Sequence, residues 1–150
     1  MRILIEFYHK NILDNMVAVL GAQPDIVMFY FDPVYFTHTA VYNTYLACRR
    51  YIPRLKLELG TCDSTDFWAL EDKLSRYIRE NAKDEIFIDL TGSNDLAAVA
   101  SYSCSREGKI DLLYSDIRRS RILCINHPEK RYGYHCFEIS DIIEGAGGKI

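Results

Sequence analysis

The chain has 150 residues, 49% hydrophobic and 26% charged, with 18 basic against 21 acidic side chains and a formal net charge of −3. That balance is the one found in an average globular domain. It argues against a disordered tail, a collagen-like repeat, a coiled coil and a membrane protein, since the longest apolar stretch, residues 26–31, is far short of the ~18 residues a spanning helix needs. The slight acidic excess argues against bulk binding of DNA, whose affinity draws on a basic surface that releases counterions. Five cysteines, an odd number with no CxxC among them, and an N-terminus without a signal-peptide pattern point to reduced, mostly buried thiols in a cytoplasmic protein.

Short β-branched or aromatic runs alternate with longer helical ones. Residues 3–7 (ILIEF) read as a strand. Residues 11–20 place Ile12, Met16, Val19 and Leu20 at helical spacing, with Asn11 as N-cap, Gly21 as C′ residue and Pro24 preventing continuation. Residues 26–31 (IVMFYF) form an unbroken apolar run, as in a strand buried on both faces of a parallel sheet. Residues 37–51 read as a second helix that exits at Pro53. Residues 55–59 alternate at period two, which suits an edge strand. A third helix starts at 64, capped by Ser64 or Thr65, with acids in its first turn and a buried stripe of Phe67, Leu70, Leu74, Tyr77 and Ile78. Residues 86–90 are a fourth strand, and the turn 91–95 leads into a helix over 95–106 that is rich in Ala and Ser and ends at Gly108. Residues 110–114 and 122–125 are strands joined by a link too short for a crossover helix, with a third strand expected over 134–139. This last part is therefore read as antiparallel.

The pattern predicts an α/β fold: a Rossmann-like three-layer sandwich whose central sheet is mostly parallel, with an antiparallel C-terminal hairpin. Ligands of such sheets sit at the carboxyl ends of the strands where the winding reverses. The loops concerned are Tyr8, His9 and Lys10 after the first strand, 32–38 after the second, 91–95 after the fourth, and 115–119. The segment Leu90-Thr91-Gly92-Ser93-Asn94-Asp95-Leu96 carries the most information. A strand that feeds directly into a helix presents backbone N–H groups, and the helix dipole favours an anion there. Gly92 allows close approach, while Thr91 and Asn94 offer polar side chains. The alternative is a turn in which Gly92 only bends the chain and Asn94 only caps the helix.

The 90–96 turn resembles the Thr-Gly-Gly signature of CARF domains, the CRISPR-associated Rossmann-fold ligand sensors. The opening ILIEF strand, the helix with NILDNM at 11–16, the run QPDIVM at 23–28 and YSDI at 114–117 follow the same pattern in order, closest to CARF halves of proteins with a downstream nuclease domain. The resemblance implies a homodimeric sensor binding a cyclic oligoadenylate across its two-fold axis and regulating an attached or associated nuclease effector in CRISPR antiviral defence. It implies that Thr91, Gly92 and Ser93 hold phosphate or ribose, that Tyr8, His9, Lys10, Asp32, Thr37 and His38 complete the pocket together with Asn94 and Asp116, and that the helix 95–106 serves the dimer. Two positions depart from the family: Ser93 stands where a second Gly is frequent, and Asp95 where a basic residue is common. A carboxylate at contact distance opposes a phosphate by ~1–4 kcal/mol.

The resemblance also implies a boundary, with residues 1–139 as the CARF-like domain and 140–150 as a linker or the start of a following domain. Two other functions stay open: a stand-alone ring nuclease aided by His9, His38 or Lys10, and a Rossmann-like module for another nucleotide or a protein partner. No catalytic residue, metal or cofactor is assigned. His127 and His135 near Cys124 and Cys136 match no zinc spacing, and there is neither a Walker A lysine nor GxGxxG. Glu71-Asp72-Lys73 has the ExK form of a nuclease but falls on a solvated helix face. Arg118, Arg119 and Arg121 read as a solvated turn. Of the aromatic run Tyr30, Phe31, Tyr35, Phe36, Tyr42 and Tyr45, most are assigned to the core, with Tyr35 or Phe36 available to stack on a base.

Overall fold

Ile26–Phe31 has no charged side chain and is buried at all six positions, so the strand must be covered on both faces. The computed structural model, which describes residues 1–106, 109–134 and 147, shows how. The elements run β1 (Arg2–Phe7), α1 (Ile12–Ala22), β2 (Ile26–Phe31), α2 (His38–Arg49), β3 (Lys56–Thr61), α3 (Phe67–Glu80), β4 (Glu85–Asp89), α4 (Asp95–Ser105), β5 (Ile110–Asp116), a 3-10 turn (Ile117–Arg119), β6 (Arg121–Cys124) and β7 (Arg131–Tyr132). Among the described residues the strands form a seven-stranded sheet in the order β3-β2-β1-β4-β5-β6-β7. Pairing is parallel from β3 through β5 and antiparallel from β5 to β7. The fold is thus the expected Rossmann-like α/β sandwich.

Side chains alternate between two cores, as the period of a strand requires. Leu4, Val27, Phe29 and Phe87 pack with α1 and α2 through Met16, Val19, Val41 and Tyr45. Ile3, Ile5, Met28 and Ile88 pack with α3 and α4 through Leu70, Leu74, Ala97 and Ala100. The chain moves outward from β1 through β2 to the edge strand β3, then returns across the sheet to β4. Between β1 and β4 the winding reverses, leaving a crevice at their carboxyl ends.

Local differences from the sequence reading have identifiable causes. Helix α1 runs through Gly21 to Ala22, and Gln23, not a glycine, takes the left-handed position after it (φ 51°). Helix α3 is capped by Asp66, whose carboxylate accepts from the Ala69 N–H, rather than by Ser64 or Thr65, and its first turn holds no acid. Ser64 is occupied elsewhere, bonding Asp32 across the loop. The aromatic run splits: Tyr30, Phe31 and Tyr45 are core, whereas Tyr35 is 69% and Tyr42 48% exposed. The hairpin gains a short strand at Arg131–Tyr132 that the sequence did not predict. The strand expected beyond Tyr134 and the boundary at 139/140 lie outside the described residues. Cys48, Cys62, Cys104 and Cys124 are buried thiols, as expected.

Gly21 has a different task from ending a helix. A Cβ there would stand 2.1 Å from the Ile122 side-chain tip and 2.6 Å from the Gly133 carbonyl oxygen, so its bare backbone is what lets the β6–β7 hairpin lie against α1. The Ile122 methyl can rotate away, but the Gly133 carbonyl is main chain. Gly21→Ala gains ~1 kcal/mol of helix propensity and incurs ~1–3 kcal/mol of overpacking. A net loss of stability is expected in urea denaturation; a variant as stable as the parent would refute the close approach.

Candidate ligand site in the β1–β4 crevice

The loop leaving β1 is held rigidly. The side chain of Asn15, fully buried in α1, accepts from the His9 N–H at 2.7 Å and donates to the His9 carbonyl at 2.6 Å. The turn leaving β4 approaches it closely: a Cβ on Gly92 would lie 2.8 Å from His9 Cβ and 3.2 Å from the Phe7 carbonyl oxygen. Any other residue at 92 would push the two loops apart. Asn94 accepts from the Ala97 N–H to cap α4, and its amide donates to the Ser64 carbonyl, tying the β4 turn to the loop after β3.

Over these loops opens a cavity of about 430 Å³, within the usual ~300–1,000 Å³ for small-molecule sites. Tyr8, His9, Lys10, Asp32, Gly92 and Asn94, all expected from the sequence, line it. Aromatic walls come from Phe7, Tyr30, Tyr35 and Phe36. The Tyr8 ring packs edge-on against Phe36 with centroids 5.0 Å apart, and its hydroxyl meets Thr44 Oγ1 at 2.8 Å. Tyr35 is largely exposed at the mouth, where a flat ring can accept a stacked base. Lys10 supplies an exposed cation at the same mouth.

Asp32 is held as a carboxylate below its ordinary range by the Ser64 backbone N–H, the Ser64 hydroxyl and the Val34 N–H. Cys62 and Ser64, on the loop after β3, also line the cavity and were missed; the rule that points to carboxyl ends applies to β3 as well. Burial and then nearby Asp32 push the Cys62 thiol up to about 11, so it is no nucleophile at neutral pH.

Five expected residues are not part of the cavity lining. Thr91 Oγ1 donates to Asp89 at 2.6 Å and accepts from the Ser115 N–H at 2.8 Å. Ser93 Oγ donates to the Leu90 carbonyl. Thr37 caps α2 by accepting from the Ala40 N–H, and the His38 ring lies edge-on to Phe31. Asp116 pairs with Arg119 and Arg121 at 3.2 and 3.1 Å, which also accounts for two of the three hairpin arginines. In the ExK segment, Lys73 donates to the Thr61 carbonyl and Asp72 pairs with Arg76.

Away from the cavity, Asp111, Cys124 and His127 bring donor atoms within 4.8 Å of one another, a grouping that spacing did not reveal. Lys130 sits on both Asp111 oxygens at 2.9 and 2.7 Å, with Tyr132 at 2.9 Å. Burial alone would raise Asp111, yet the bonds from Lys130, Tyr132 and His127 hold it below its ordinary range. A dication there would have to expel the ammonium.

No family model matches the chain, and no curated protein sequence is similar to it. Solved structures are. Can2 from Sulfobacillus thermosulfidooxidans, in complex with cyclic tetra-adenylate, matches with a TM-score of 0.75 at 17% identity, over 89% of this chain and 37% of its own. Enterococcus italicus Csm6 bound to cyclic hexa-2'-fluoro-hexa-dAMP matches at 0.70 and 14% identity, over 97% and 37%. Protein VC1899 from Vibrio cholerae matches at 0.76 and 9% identity, over 96% and 39%. The chain shares their fold. It spans less than two fifths of the length of each.

Directly beneath the Thr91–Gly92 turn lies an unusual pair. Glu6 and Asp89 are register partners on β1 and β4, both fully buried, and among the described residues both Glu6 oxygens, Asp89 Oδ2 and Ser115 Oγ lack hydrogen-bond partners. Burial first, and the neighbouring Asp89 second, push the Glu6 carboxyl well up. Asp89 is raised by burial too, against the opposing bonds from Thr91. Folding therefore favours a protonated Glu6. Its contribution to stability is complete below the ordinary carboxylate range and is lost as pH rises toward its raised value, at up to about 1.4 kcal/mol per pH unit for one proton. Glu6→Gln keeps the shape without the charge. Denaturation of parent and variant from about pH 5 to about pH 8 should show the variant gaining relative stability as pH rises; a pH-independent difference would refute a protonated Glu6.

Proposed function

We propose that this chain is a CARF-type sensor domain that binds a cyclic oligoadenylate in the β1–β4 crevice. It acts in the cytoplasm as a homodimer and regulates an attached or associated nuclease in CRISPR antiviral defence. The observation that carries this reading is the close approach of the Gly92 turn to the His9 loop, which sets an aromatic cavity with a cation at its mouth at the winding reversal of the sheet. Two features add support. Can2 and Csm6, which share the fold, were solved with cyclic adenylate ligands. The wall chemistry also fits a nucleotide: rings for bases and Lys10 for phosphate.

In this reading Thr91 positions the turn rather than touching the ligand, because its hydroxyl is committed to Asp89 and Ser115. Ser93 and Asp116 contribute in the same indirect way. The small side chains of α4 (Ala97, Ala98, Ala100, Ser101, Ser103) suit close packing, and its outer positions Leu96, Val99 and Tyr102 recur on one exposed stripe, suited to a second copy.

Cyclic tetra- and hexa-adenylate at about 100 µM should raise the melting temperature of the purified chain, as any ligand of the native state does. No shift with either would overturn the assignment. Lys10→Glu should weaken binding ~10-fold or more without lowering the melting temperature of the free protein. Linear adenylates formed in the same tubes would favour ring cleavage instead.

Asp95, exposed in the first turn of α4, opposes an anion in the crevice. Asp95→Lys should tighten cyclic oligoadenylate binding by up to ~10-fold in calorimetric titration. Weaker binding by this variant would mean that the acid contacts the ligand favourably.

A further inference from the structure

At the other end of the sheet, beside the amino ends of β4 and β5, lies a second cavity of about 560 Å³. Its position follows from the packing of α3 on α4. Ser75 Oγ and Cys104 Sγ meet at 3.3 Å, and beyond that contact both helices end, leaving a recess over the amino ends of β4 and β5. The floor is Ile86, Ile110 and Cys104, each nearly fully buried, with Ile78 and Ala82 as wall. An apolar floor within a ring of charge is the usual build of a small-molecule site.

The ring is electrically lopsided. Arg79 comes from the last turn of α3, Lys83 from the α3–β4 connection and Lys109 from the start of β5. None of the three has an ion-pair or hydrogen-bond partner among the described residues. The two acids of the rim among the described residues are already neutralised from outside: Asp84 accepts from the N-terminal ammonium at 2.9 Å, and Glu85 lies 3.5 Å from Arg2 Nε. The C-terminal ends of α3 and α4 each bring about half a negative charge to this end of the sheet. Three full cations outweigh that.

We propose that this cavity binds a small amphipathic anion: a chain or ring of a few carbons on the Ile86–Ile110 floor, carrying one carboxylate, sulfonate or phosphate head among Arg79, Lys83 and Lys109. The apolar part gains by leaving water, and the head meets cations that have no other partner. The site is independent of the crevice reading, since it lies at the opposite ends of the strands and shares no lining residue with it.

Octanoate and its neutral counterpart octan-1-ol separate the two parts of the claim. In amide NMR titrations of the whole chain, octanoate should give saturable shifts at Ile86, Cys104 and Ile110 while Tyr8 and Gly92 stay still. Octan-1-ol should bind at least about 10-fold more weakly. Arg79→Glu combined with Lys109→Glu, both exposed rim positions, should weaken octanoate at least about 10-fold with an unchanged melting temperature. The proposal fails if octanol binds as tightly as octanoate, if the shifts appear at Gly92 instead, or if nothing saturates below about 10 mM. The octanol comparison needs no variant, so a misfolded double mutant would leave the test intact.

Discussion

Everything in the crevice depends on β1 having a parallel neighbour on each side. Because β2 and β4 both pair with it, β1 is buried along nearly its whole length, and its exit loop has nowhere to go but over the sheet's carboxyl edge. That position forces Phe7, Tyr8 and His9 into the middle of the site while α1 and α4 close in from opposite faces. The geometry is a consequence of strand order, not of any one binding residue.

The same burial traps Glu6 and Asp89 side by side. Two carboxyl groups removed from water, with no cation facing them among the described residues, are costly unless at least one stays neutral. Asp89 is the one with donors, receiving the Thr91 backbone N–H at 3.0 Å and its hydroxyl at 2.6 Å. The division of roles follows: Asp89 accepts from Thr91 and fastens the turn, while Glu6 is the carboxyl that burial pushes well up. A stability cost at the centre of the sheet is thereby converted into a fixed turn beside the cavity, a pattern common at functional sites.

How much of this the sequence disclosed varies with the kind of interaction. Period and punctuation were enough for the strand order's raw material: apolar 26–31, the alternation around Leu57, the Asn11 and Asn94 caps. They also located the cavity, because carboxyl-end loops follow from topology, and Tyr8, His9, Lys10, Asp32, Gly92 and Asn94 all face it. What a linear reading could not supply was long-range pairing. Thr91 looked like a free hydroxyl because Ser115 is 24 residues away, and Ser64 looked like a helix cap because Asp32 is 32 residues away. Gly21 resembled a helix stop for the same reason: its neighbour is Gly133. Tyr35, kept available to stack on a base, is exposed at the mouth because an aromatic at a loop tip obeys the loop and not its own hydropathy.

The Thr91 hydroxyl touches two strands at once, giving its hydrogen to Asp89 on β4 and taking one from the β5 main chain. Ser115 pairs in turn with Ile122 on β6, and the Ile122 side chain rests on the bare backbone of Gly21. One oxygen atom is thus the first link of a mechanical train running sideways through the sheet. Any displacement of the Thr91–Gly92 turn therefore stretches that link or carries β5 with it, and at the far end of the train the hairpin meets α1 main chain to main chain, Gly133 against Gly21.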